Sequence, residues 1–302
     1  MTRAAVLAGV GSAPPQRREV RSDAFQPAVA AGARTLTGEL ADRVDTVLVT
    51  GTTPERAQAP RAADVAAGLG LTDTAAYNWP AAEDAFLLAL AGAACLIETG
   101  SSDCALVVGT GDFTGRADAP SSARDIGAGA LLLRAGDPDE PGALGRFELA
   151  GGTERVPAAV SATVQGRPRP SGAAVRHGVP RFGPESSRAF WRTVQRMGQA
   201  AQKVLDRAGW TADDVDTLMV FQEHHMMTRR LADELGIPAA RGISAAAAAG
   251  RARSTSFPLA LDHARATGAL SPGHHVLLAA CHGDPAETWG ATALIWPRLE
   301  GG

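Results

Sequence analysis

Cysteine is scarce in this 302-residue chain, with only Cys95, Cys104 and Cys281, all far apart in sequence. No CxxC pair and no even-numbered set appears, so a disulfide framework is not expected and a reduced, cytoplasmic setting is. A large charge of either sign is also missing. The formal net charge is -3, too close to neutral for nucleic acid or an anionic membrane to be the expected partner. No apolar run is long enough to span a bilayer, and the opening "MTRAAVLAGVGSAPP" is too short in apolar residues to read as a signal peptide. What is present is ample apolar material, 45% of residues, enough to bury a large core in one domain or two intimately packed ones.

The chain repeats itself. "RVDTVLVTG" from Arg43 resembles "DVDTLMVFQ" from Asp214, and Asp45 and Asp216 stand 171 positions apart. "AFLLALAGAA" from Ala85 resembles "SFPLALDHAR" from Ser256 at the same spacing. "CALVVGTGD" from Cys104 matches "VLLAACHGD" from Val276 at 172, and "GAGALLLR" is echoed by "GATALIW". Order and offset together argue for two like halves, 1–144 and 145–302, sharing one continuous core and joined by the Pro/Gly/Asp stretch Arg134 to Gly145.

Each half predicts an opening strand (Ala5 to Gly9; Arg146 to Ala150) and a helix (about 25–40; about 186–208). A β-branched strand buried on both faces follows ("VDTVLVT"; "VDTLMVF"), then a helix from near Glu83 or Ser254 and two closing strands. Strands alternating with helices imply an α/β fold with parallel pairing. "GVGS" at Gly9 to Ser12 runs into two prolines rather than a helix and reads as a turn.

These halves resemble the thiolase fold, layered α-β-α-β-α. More closely, the chain resembles the β-ketoacyl-acyl carrier protein synthase III family. The likeness rests on "AFLLALAGAACLIETGSSDCALVVGTGDFT", "DIGAGALLL", "AAQKVLDRAGWTADDVDTLMV", "STSFPLALDHARATGALSPGHHVLLAACHGD" and "ETWGATALIW". It implies an enzyme that holds an acyl group on a cysteine at a helix start, with a histidine and an asparagine assisting. At all three positions this chain departs. Glu83 stands where the family's Ala-Ala-Cys-Ser-Gly-Phe pattern has cysteine, Phe221 stands for the histidine, and Arg251 for the asparagine. A carboxylate cannot act as a thiolate and phenylalanine donates no hydrogen bond. The segment that helps relatives grip the coenzyme A nucleotide is shortened, since "GSAPPQRREVRSDAF" runs almost straight into a helix. No tightly bound cofactor is therefore expected, and either a carrier-bound acyl-phosphopantetheine thioester or no acyl group at all is the expected occupant.

Several readings stay open. Glu83 and Asp84 either support the helix start through its dipole or transfer protons. Glu83 and Arg251 form an ion pair filling the old site, or Arg251 and Arg253 face solvent. Cys281 beside His282 is a relocated nucleophile or a small buried residue. In "QEHHMM" the consecutive Glu223, His224 and His225 cannot converge as HExxH ligands do, so no metal is expected, although His224 could line the pocket. Arg188, Arg192 and Arg196 form one helical stripe. Arg229 and Arg230, with Arg253, suggest docking of an acidic carrier protein. Phe190 and Trp191 read as core. Two functions remain: a non-condensing subunit of a homodimer or of a heterodimer with a cysteine-bearing relative, or a divergent acyltransferase, decarboxylase or hydrolase using Glu83, His224 or His282.

Overall fold

The computed structural model describes residues 2–17, 24–51, 60–79, 85–114, 125–152, 184–221, 226–243, 251–252, 256–282 and 288–299. Among the described residues, eleven strands form two sheets. The first contains β1 (Ala4–Arg17), β2 (Thr46–Gly51), β3 (Ala75–Asn78), β4 (Cys104–Thr114) and β5 (Asp125–Gly136) in the order β1-β5-β4-β2-β3. The second contains β6 (Glu148–Gly151), β7 (Thr217–Phe221), β8 (Gly242–Ile243), β10 (His275–His282) and β11 (Thr288–Ile295) in the order β6-β11-β10-β7-β8. Strand for strand the order is the same. The short β9 (Arg251–Ala252) leaves the second set and pairs with β4.

The described helices are α1 (Phe25–Thr35), α2 (Ala62–Gly68), α3 (Ala85–Glu98), α4 (Pro184–Ala208), α5 (Met227–Leu235) and α6 (Ser256–Ala266). Side-chain alternation along the strands distributes them into layers. Val47, Val49, Leu106, Val108 and Leu132 pack outward against Ala28, Ala31, Ala62 and Val65 of α1 and α2. Leu48, Val107, Leu131, Met219, Phe221, Val276 and Leu278 point inward onto α3 and α6. Leu218, Val220, Leu277, Ala279 and Cys281 face α4 and α5. The result is α-β-α-β-α, with one core running between the sheets. Helix α3 is apolar nearly all round because it lies in that middle layer, and Phe86, Leu87, Leu90 and Ile97 are all but fully buried. It stops at Gly100, whose φ of 77° is the left-handed cap conformation.

The repeat is visible in single hydrogen bonds. The Asp45 amide donates to the Cys104 carbonyl at 3.0 Å, and the Asp216 amide to the His275 carbonyl at 3.0 Å. The Cys104 amide donates back to Asp45 Oδ2 at 3.3 Å and the His275 amide to Asp216 Oδ2 at 2.9 Å. Each aspartate thus ties the start of one parallel strand to the next. Between the repeats, the turn after β5 laces the sheets together. Leu144 donates to the Ala5 carbonyl at 2.9 Å and Gly145 to the Ala293 carbonyl at 2.7 Å.

Two expectations are corrected. Gly9 to Ser12 is strand, inside β1, not a turn. The glycines serve close packing instead: a Cβ on Gly9 would lie 2.6 Å from the Thr35 carbonyl oxygen, and one on Gly11 2.6 Å from Thr35 Oγ1. Trp191 is 46% exposed rather than core; one face of its ring meets the Arg230 guanidinium of α5, 5.4 Å from the centroid, instead of apolar side chains.

Candidate functional site

The parallel strands β2 and β4, and likewise β7 and β10, run in the same direction within their sheets. Ligands of such sheets collect at the carboxyl ends of the strands. In each repeat an edge strand parallel to these, β3 or β8, precedes in sequence the middle-layer helix, α3 or α6. Residues of both repeats meet at those carboxyl ends: β9 pairs antiparallel with the end of β4, setting Arg251 opposite Thr114 and Ala252 opposite Phe113.

Of the three positions that the sequence resemblance sets against the family's catalytic residues, Phe221 is fully described. It is the last residue of β7, pairs with Ala280 of β10, and is 3% exposed. Its ring lies 6.4 Å from that of Phe257, tilted by 53°, in the first turn of α6. This end of β7 is therefore hydrocarbon on its inward face. Arg251 is described through its backbone, which the ladder with Thr114 holds at the end of β4. Glu83 lies outside the described residues, as do Asp84, His224, Arg253 and Asp284; the Glu83–Arg251 ion pair falls there too. His282 ends β10 opposite Thr288, two residues beyond the partner of Phe221.

Sequence reasoning missed Phe257. The signal was available: Phe257 is the repeat partner of Phe86, and both are 2% exposed in the middle layer.

Sulfur is distributed away from this point. Cys95 is exposed on α3, nearly three turns from its start. Cys104 begins β4, at the opposite end of the strand from β9. Burial first, and then the negative charge of Asp45, push its thiol up to about 11, so it stays protonated and unreactive at neutral pH. Cys281 is buried in the outer layer against α4 and α5, whereas Phe221 and Phe257 lie in the middle layer.

Around the site, Arg229 is exposed on α5. Arg230 reaches both the Trp191 ring and Asp233 Oδ2, the latter at 3.3 Å. Arg188 and Arg192 are exposed on α4, and Arg196 stacks 4.7 Å over the Trp289 ring. Among the described residues no helix is long and apolar enough to cross a membrane.

The comparisons with known proteins agree with this architecture. Residues 205–296 match the family described as 3-oxoacyl-[acyl-carrier-protein (ACP)] synthase III C terminal. The β-ketoacyl-[acyl-carrier-protein] synthase III 3 of Streptomyces coelicolor is 39% identical over 336 residues, covering 99% of both chains. That alignment is longer than this chain, so the relative carries insertions. The Pseudomonas aeruginosa PAO1 β-ketoacyl-[acyl-carrier-protein] synthase III is 34% identical over 262 residues, 85% of this chain and 78% of its own. The crystal structure of 3-oxoacyl-(acyl carrier protein) synthase III from the same organism superposes with a TM-score of 0.76 at 28% identity, covering 99% and 100% of the two chains. The priming β-ketosynthase of the R1128 polyketide pathway shares the fold, with a TM-score of 0.73 at 24% identity over 98% and 97%. This chain belongs to the β-ketoacyl-[acyl-carrier-protein] synthase III family.

Proposed function

We propose that this protein is a non-condensing member of its family in fatty-acid- or polyketide-type metabolism, serving as partner subunit to a cysteine-bearing relative. The observation that carries the reading is Phe221, buried against Phe257 at the strand end where the family's histidine is expected. A phenyl ring there can neither polarise a thioester carbonyl nor move a proton. The aligned sequence adds Glu83 in place of the nucleophile and Arg251 in place of the asparagine. Only seven residues separate β1 from α1, which supports an acyl group delivered on a carrier's phosphopantetheine arm rather than a gripped coenzyme A. The exposed arginines of α4 and α5 fit an acidic carrier protein. The family's dimeric assembly, as a homodimer or as a heterodimer with the active relative, does not itself require the chemistry, so the assembly would survive its loss.

The test is co-expression with a cysteine-bearing synthase III from the same gene neighbourhood. Co-purification as a 1:1 complex, with condensation that needs both chains and persists with Glu83→Ala, is the expected result. Turnover of an acyl thioester by this chain alone, abolished by Glu83→Ala, would replace the proposal with the divergent-enzyme reading.

A further inference from the structure

Away from the strand ends, β1, α1 and α6 enclose a recess lined by Gly9, Val10, Arg34, Thr35, Thr37, Arg265 and Leu299, with room for one water-sized group. Two guanidiniums border it, one from each repeat. Arg34, exposed at the end of α1, donates through Nη1 to the Ser12 carbonyl. Arg265, in the last turn of α6, donates through Nη2 to Asp262 Oδ1 at 3.1 Å. The other oxygen of that carboxylate, Oδ2, accepts from the Ser12 hydroxyl. Asp262 is thus occupied on both sides and does not line the recess.

Arg265 is left with a buried Nε–H that has no partner among the described residues. A buried N–H without an acceptor is costly and points to a missing ligand or water, while the charge of the guanidinium is met by Asp262. The Thr35 hydroxyl is not the answer to a ligand's lone pairs, because its proton goes to the Ala31 carbonyl at 2.8 Å. The donors left over among the lining residues are the remaining nitrogens of Arg34, Arg265 Nε and the Thr37 hydroxyl, around a space sized for a single oxygen. Two cations against one carboxylate leave the group net positive.

We propose that this recess is a binding site for a phosphate-type oxyanion, one oxygen entering it and the rest held at the mouth by the arginine forks. The anion would tie α1 of the first repeat to α6 of the second. Because its lining does not include Phe221 and it rests on neither Glu83 nor Arg251, it stands independently of the proposed function.

The test is thermal unfolding and calorimetric titration with inorganic phosphate at constant ionic strength, sodium chloride making up the balance. Glycerol phosphate and acetate run as parallel arms. The expected result is saturable stabilisation by phosphate, weakened at least tenfold in Arg34→Gln and in Arg265→Gln. Arg34→Gln is the safer variant, since it leaves the Arg265–Asp262 pair intact. Equal stabilisation by glycerol phosphate would assign the site to phosphate monoesters. Equal effects of acetate or chloride, or an unchanged response in Arg34→Gln, would overturn the proposal.

Discussion

The two repeats share one strand order but differ in what they hang on it. Seven residues separate β1 from α1, whereas thirty-two separate β6 from α4. The strand ends also differ. Thr50 and Phe221 occupy equivalent places, 171 positions apart on β2 and β7; both are buried, one small and polar, the other a full aromatic ring. The contrast separates two kinds of constraint. The buried layers fix strand order, since residues of both repeats share one middle-layer core, while connections and strand ends are free to diverge. Where packing is shared, the repeats exchange contacts. Pro258 of α6 sits over Gly129 of β5, and Leu87 of α3 reaches Gly290 of β11. Leu87 and Pro258 are themselves repeat partners, as are Phe86 and Phe257.

That exchange can be broken from either side. Phe86→Ala and Phe257→Ala each remove a 2%-exposed ring from the middle layer, and each is expected to cost about 3–5 kcal/mol by denaturant titration. The two values should agree to within about 1 kcal/mol. A much smaller loss for Phe257→Ala would mean that the second middle helix is less tightly held than the first. Next in size is Gly129→Ala. Its Cβ would lie 2.6 Å from Pro258 Cγ and 2.8 Å from its Cβ, with the Leu259 amide 3.3 Å away. A proline ring cannot swing aside, so about 1–3 kcal/mol is expected. Gly290→Ala should cost less. It meets the tips of Leu149 and Leu87 and the Glu148 carbonyl of the edge strand β6, which can yield.

Much of this symmetry was legible before any coordinates. The succession of strands and helices in each repeat and the buried character of β2 and β7 follow from apolar runs and from matches near one offset. The layer order was implied by the family resemblance, and the strand order within each sheet was not legible. The register did not. The sequence match set Cys104 against Val276, but Thr46 pairs with Ala105 and Thr217 with Val276, so the true spacing is 171. A strand buried on both faces has no alternation to reveal a one-residue slip. Strand lengths were underread because β1, β4 and β5 continue through glycine-rich sequence that looks like turn. The candidate site was legible only through the family resemblance: nothing in the residues around Phe221 marks a reaction centre without the relatives' pattern. Trp191 was misread since an arginine from a different helix, not the apolar periodicity of α4, decides how it is covered. The crossing of β9 onto β4 left no trace in local sequence.

The smallest expected contrast lies in the two aspartates that start the parallel strands. Asp45 accepts from the Asp103 amide at 2.6 Å, the Cys104 amide at 3.3 Å and Thr46 Oγ1 at 3.0 Å, as well as from the Ser102 hydroxyl. Asp216 accepts from the His275 amide at 2.9 Å. Asp216→Ala leaves one strand-edge amide that water can still reach, and about 1 kcal/mol is expected. Asp45→Ala strands the buried Ser102 hydroxyl and the amide of fully buried Cys104, so its cost should exceed that of Asp216→Ala by about 1 kcal/mol. The sites are far enough apart in separate sheets that the double variant should lose the sum of the two. Equal single losses would show that the richer network around Asp45 adds nothing, and that only the strand-to-strand tie common to both repeats matters. A double loss well short of the sum would mean that the two sheets unfold as separate units rather than as one body.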